Sequence, residues 1–120
     1  MDMNSQEIRL RILKLLYEKD EEKPNASVRF DTIKSDLGLE DEHIRSNIKY
    51  LEDKGYIEIS KRIHYRYHLV KISSDGKDII ENKSLLKNEF PSIQIIVQKG
   101  KINIANQGSQ NTSVEIDNNE

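Results

Sequence analysis

The sequence has no cysteine and no tryptophan, only two prolines, and no excess of either charge. Without cysteine the chain builds no disulfide framework, no thiolate metal site and no cysteine nucleophile, which fits a reducing cytosol. With 19 basic and 21 acidic residues the formal net charge is −2, so no global positive field draws the chain to nucleic acid. Any such partner must be held by a local arrangement of charge. The opening Met1-Asp2-Met3-Asn4 lacks the basic start and apolar stretch of a signal peptide, and no later run approaches membrane-spanning length. The expectation is a cytoplasmic protein with no membrane partner. Also missing are a glycine-rich phosphate loop, a metal-ligand cluster, and a serine set with histidine and carboxylate. No catalytic residue, metal or cofactor is therefore expected, and the chain reads as a non-enzyme.

What is present is a lean chain of 120 residues, 35% apolar and 33% charged, enough for one modest core. Ile8, Ile12, Leu15 and Leu16, with Leu13, recur at helical spacing, and Asn4 with Glu7 offers a capping box, so a first helix is expected to fade near Lys19. Residues 20–25 then combine like charges with a proline. Ser27 to Phe30 reads as extended. Asp31 can cap a short helix stopped by Gly38, and Ile44, Ile48 and Leu51 line a third helix from about Asp41 to Lys54, ended by Gly55. From Tyr56 the period becomes two: Ile57 and Ile59, then Tyr65, Tyr67 and Leu69, predict a hairpin turning at Lys61 to His64. A helical pattern returns from Lys77 to about Asn82.

Helix, short strand, two helices with a tight glycine turn, hairpin and helix is the order of a helix-turn-helix unit with a wing. Residues 44–57, Ile-Arg-Ser-Asn-Ile-Lys-Tyr-Leu-Glu-Asp-Lys-Gly-Tyr-Ile, resemble the recognition helix and first wing strand of prokaryotic winged helix-turn-helix regulators. Residues 72–81, Ile-Ser-Ser-Asp-Gly-Lys-Asp-Ile-Ile-Glu, are similar to the passage from wing to last helix in the same family. The resemblance spans roughly the first two thirds of the chain. It implies a mainly helical α+β fold with a three-helix core, a β-hairpin wing and a fourth helix, and double-stranded DNA as partner. Metal-sensing relatives carry cysteine or clustered histidine. Here only His43, His64 and His68 are present, the last two about 13 Å apart if they share one strand at roughly 3.3 Å per residue.

With Ile44, Ile48 and Leu51 facing inward, the third helix offers Arg45, Ser46, Asn47, Lys49 and Tyr50 to a groove or to phosphates. Glu42 and Asp53 repel phosphate unless they accept from a cytosine amino group. The wing adds Lys61, Arg62, His64 and Arg66, in a stretch from Ser60 to Ser74 that has no acidic residue. Plainer readings stand beside these. Lys61 and Arg62 can simply keep a turn soluble, Arg45 and Lys49 can pair with Asp41 and Asp53, and Tyr65 and Tyr67 can be cross-strand packing.

The expected domain occupies residues 1–83, followed by a linker at 84–91 and a β-rich extension at 92–120. In the extension Ile93, Ile95 and Val97, then Ile102 and Ile104, then Val114 and Ile116, alternate as three short strands, and the segment from Gln107 onward is polar. A small sheet with one apolar face needs a cover. A second subunit is the expected one, making Ile93, Ile95, Val97, Ile102 and Ile104 oligomerisation residues of a homodimer or higher homo-oligomer. The function expected is sequence-specific DNA binding as a homodimeric transcriptional regulator. The alternative is a winged helix that docks proteins through its C-terminal strands, and an RNA-binding role is a third option.

Overall fold

The computed structural model describes residues 4–98 and 101–105. Helix α1 (Ser5–Glu22) starts on Asn4, whose side chain accepts from the Glu7 amide at 2.8 Å. Only half of the expected capping box forms. The Glu7 carboxylate is buried and takes the Arg11 guanidinium at 2.7 Å, because a buried charge needs a partner more than an exposed cap does. The helix also outlasts Lys19. Asp20 is held by Lys77 at 2.9 Å and by the Asn25 amide, so the acidic run is anchored and helical instead of a loop.

Strand β1 (Val28–Arg29) leads without a break into α2 (Phe30–Leu37), since the Phe30 amide donates to the His68 carbonyl and the next residue is already helical. Asp31 lies in the first turn and is not the cap. Gly38 ends α2 at φ 63°, and α3 (Asp41–Asp53) follows, closing at Gly55 with φ 81°. Strands β2 (Ile57–Ser60) and β3 (Leu69–Ile72) pair antiparallel, Ile59 opposite Val70, and β1 joins the far edge of β3. Tyr65 and Tyr67 are not on a strand. They lie in a tight turn (Tyr65–Tyr67) whose amides bond three residues back, and β3 begins only at Leu69. His64 and His68 thus flank a turn and do not share a strand.

Helix α4 (Ser74–Glu81) begins earlier than the pattern suggested, because Ser73 caps it: its hydroxyl accepts from the Gly76 amide and donates to the Gly55 carbonyl at 2.6 Å. The segment 84–91 is not a linker. It holds α5 (Lys83–Glu89), capped by Asn82, and Leu86 and Phe90 enter the core. Strands β4 (Gln94–Gln98) and β5 (Lys101–Ala105) follow, with Ile95 opposite Ile104 and Val97 opposite Ile102. The third tail strand around Val114 and Ile116, the polar end from Gln107, and the side chains of Val97 and Ile102 lie outside what is described.

Helix α1 is the central post. It touches α2, α3, α4 and β3, which is why Leu10, on the side away from Ile8 and Ile12, is as buried as they are. Ile93, Ile95 and Ile104 belong to this same core. For these three residues the cover assigned to a second subunit is supplied by the chain's own body.

Gly76 packs so close that a Cβ there would meet the Tyr56 carbonyl oxygen at 2.2 Å and Ile72 Cγ1 at 2.8 Å. Alanine is the better helix former by about 1 kcal/mol, yet Gly76→Ala is expected to lower the unfolding free energy by about 3 kcal/mol through overpacking. Urea denaturation checks this, and unchanged or raised stability would contradict the packing described.

Candidate nucleic-acid interface

Four residues of α3, Ile44, Asn47, Ile48 and Leu51, are buried. The expected site residue Asn47 is therefore an interior residue. Its Oδ1 accepts from Arg9 Nε at 2.9 Å and its amide donates to the His43 carbonyl at 2.7 Å. Tyr50 is half-buried on the same side, with the Arg9 guanidinium 3.5 Å from its ring centroid. Both residues contact Arg9 of α1, and neither belongs to the fully exposed face of α3. The helical period brought them close to the polar face, but Arg9 of another helix decides which way they turn.

Glu42, Arg45, Ser46 and Lys49 form the exposed face. Lys49 pairs with Asp53 at 3.0 Å, and both are well exposed, so the bond is weak and easily exchanged. That pairing also holds the Lys49 ammonium above its ordinary range. Arg45 takes a different partner from the one its spacing offered. Its guanidinium lies over the Tyr65 ring, 4.5 Å from the centroid, instead of against Asp41.

Tyr65 joins the wing to α3. Its hydroxyl donates to Asp41 Oδ2, and its ring meets Phe30 edge-on at 5.4 Å. Asp41 also receives Lys34 at 2.9 Å, and these two donors hold its carboxyl below the usual range. Donation to Asp41 in turn raises the Tyr65 hydroxyl above its ordinary value. The tie leaves an open groove of about 470 Å³ between α3 and the wing. Phe30, Ile48, Ile59 and Tyr65 supply its apolar lining, and Arg45, Ser46, Lys49, Lys61 and His68 bring donors to it, alongside Glu42 and Glu52.

Of the expected wing residues, only Lys61 reaches this groove. Arg62, His64 and Arg66 are exposed beyond it, at the wing's outer end. The tip is nevertheless ordered by local bonds: the Arg62 amide donates to His68 Nδ1 at 3.0 Å, and the His64 ring stacks on Tyr65 at 5.3 Å. Lys71 stands near Glu58 at 3.8 Å. Two wing residues take places that the sequence reading does not assign them. His68 is a clamp, and Ile63 is a fully exposed aliphatic side chain at the tip. The signal for Ile63 was its place in the middle of a polar, cationic turn.

Desolvation, then the charges of Lys61 and Arg62, depress the His68 pKa below its ordinary 6.5, with His64 adding to them and Glu52 opposing. A folded-state pKa below the unfolded one means that the neutral ring favours folding. This contribution is full above pH 6.5 and is lost as pH falls from there through the folded value. An NMR titration is expected to show His68 protonating below 6.5, with the Arg62 amide resonance moving in step. A midpoint at or above 6.5 would remove the clamp.

A family model described as a winged helix DNA-binding domain matches residues 8–88. No curated protein and no solved structure matches the chain. The matched span runs from Ile8 in α1 into the last turn of α5, and so contains α3, the wing and the groove between them. The chain belongs to the winged helix DNA-binding domain family.

Proposed function

We propose that the chain binds double-stranded DNA in a sequence-specific way through the exposed face of α3 and the adjoining wing, and that it does so as a homodimeric transcriptional regulator. The observation that carries this reading is the groove in which Arg45, Ser46, Lys49 and Lys61 stand together, next to a wing with no acidic residue from Ser60 to Ser74. Donors on a helix face fit base edges in the major groove, and cations on a projecting hairpin fit phosphates. Arg62 and Arg66 act on phosphate; Ser46 and Lys49 read bases.

Helix-turn-helix domains read paired half-sites with two copies. Ile93, Ile95 and Ile104 are already covered within one chain, so the apolar face of the tail hairpin is not the surface offered. Among the described residues β4 and β5 pair only with each other, which leaves strand edges for pairing between copies. Docking of other proteins through that apolar face loses its basis for the same reason.

Two measurements test the reading. With duplexes selected from a random pool, Arg62→Ala and Arg66→Ala are expected to weaken binding to all sequences alike and each to reduce the salt slope by about one, whereas Ser46→Ala and Lys49→Ala shift the selected sequence. No duplex binding at any salt would end the proposal. Light scattering of the free protein is expected to give twice the 14.0 kDa of one chain; a monomer on DNA as well as off it would end the dimer.

A further inference from the structure

The turn Lys61-Arg62-Ile63-His64 holds out an isoleucine that touches nothing in the fold: Ile63 is fully exposed. A lone aliphatic side chain on a loose loop would need no explanation. This one stands on a clamped apex. On one side the Arg62 amide is bound to His68 Nδ1. On the other, the His64 ring stacks on Tyr65 with an interplanar angle of 25°, and its Nδ1 accepts from the Arg66 amide at 3.4 Å. Tyr65 is itself tied to Asp41 at the start of α3, so the apex is carried in register with the exposed helix face. Little conformational freedom is left to lose when the tip meets a partner.

The surroundings of Ile63 define that partner. An apolar side chain that follows Lys61 and Arg62 directly, with Arg66 three residues on, fits a site that is anionic at its rim and apolar within. The DNA minor groove becomes such a site when a base step opens: phosphates and sugars line its walls, base edges form its floor, and aliphatic wedges that enter it unstack the step and reach the apolar base faces. We propose that Ile63 is a wedge that the wing tip seats in the minor groove, where it partly unstacks one base step. This rests on the reading of α3 and the wing as a duplex-binding surface. Flexible pyrimidine–purine steps yield most readily, so the wedge adds a sequence preference at a position that no hydrogen bond reads.

The test uses the full chain and duplexes recovered from a random pool, each carrying 2-aminopurine at one position in turn. Unstacking brightens this base. Wild-type protein is expected to brighten one position in each half-site, at a pyrimidine–purine step, Ile63→Leu to keep the signal, and Ile63→Ser to lose it while binding about tenfold more weakly, a difference of about 1.4 kcal/mol. The salt slope is expected to stay the same, since no phosphate contact is removed. If wild type binds but no position brightens, or Ile63→Ser binds and brightens like wild type, the wedge is refuted while DNA binding stands. If wild type binds no duplex, both fall, and an apolar site on another protein becomes the place to look.

Discussion

Two segments 24 residues apart meet where the Tyr65 hydroxyl donates to the Asp41 carboxylate, and the relation of wing to helix hangs on that bond. The wing strands are only four residues each, too short to set a rigid angle by their own ladder. Asp41 lies in the first turn of α3, where a carboxylate also suits the helix dipole, and it gathers Lys34 of α2 on its second oxygen. One carboxylate thus brings α2, α3 and the turn before β3 to a common point. Phe30 closes the same junction from below, edge-on to the Tyr65 ring. Arg45 then rests on that ring, so the side chain best suited to bidentate recognition is oriented by the same tie.

Charge is sorted along the chain and does not accumulate. With the net charge at −2, Asp20 near the end of α1 is tied to Lys77, and Glu81 of α4 accepts from the Tyr17 hydroxyl. Burial and that carboxylate push the Tyr17 hydroxyl well above its ordinary range, and burial with the bond to Glu89 takes Tyr56 to about 12. Both tyrosines therefore remain neutral hydrogen donors that fasten α5 and α4 to the rest. The wing keeps its cations without carboxylates of its own between Ser60 and Ser74.

The helices were legible in the sequence because their determinants are local: the Ile8 to Leu16 stripe, the glycines at 38 and 55 with positive φ, and the Ile44, Ile48, Leu51 face. What was not legible depends on a partner far along the chain. Asn47 and Tyr50 sit at the margin of the polar face, and only Arg9, 38 residues before Asn47, turns them inward. Tyr65 and Tyr67 alternate like strand residues, yet the pull of Asp41 on Tyr65 goes with a tight turn. The span 84–91 looked like a linker for want of a long stripe. Its two anchors, Leu86 and Phe90, are one helical turn apart, too few to mark a period but enough to dock α5. Ile93, Ile95 and Ile104 are covered, as an apolar strand face requires, but the period of a strand says nothing about whose surface provides the cover.

On the DNA-binding reading, a chain with so little overall positive charge gathers phosphates only where the wing projects, so its attraction to arbitrary duplex is modest. Discrimination then falls to α3, and the state of its side chains bears on how sharp that is. Lys49 is tied to an exposed Asp53, a bond that costs little to exchange but that a wrong base does not replace. Glu42 and Glu52 beside the groove oppose phosphate and tolerate only a donor such as a cytosine amino group. On the proposed reading, the carboxylates that weaken the surface as a general nucleic-acid binder are the same groups that make a mismatched site unfavourable, so that reading gives weak overall attraction and selectivity a common origin in this helix.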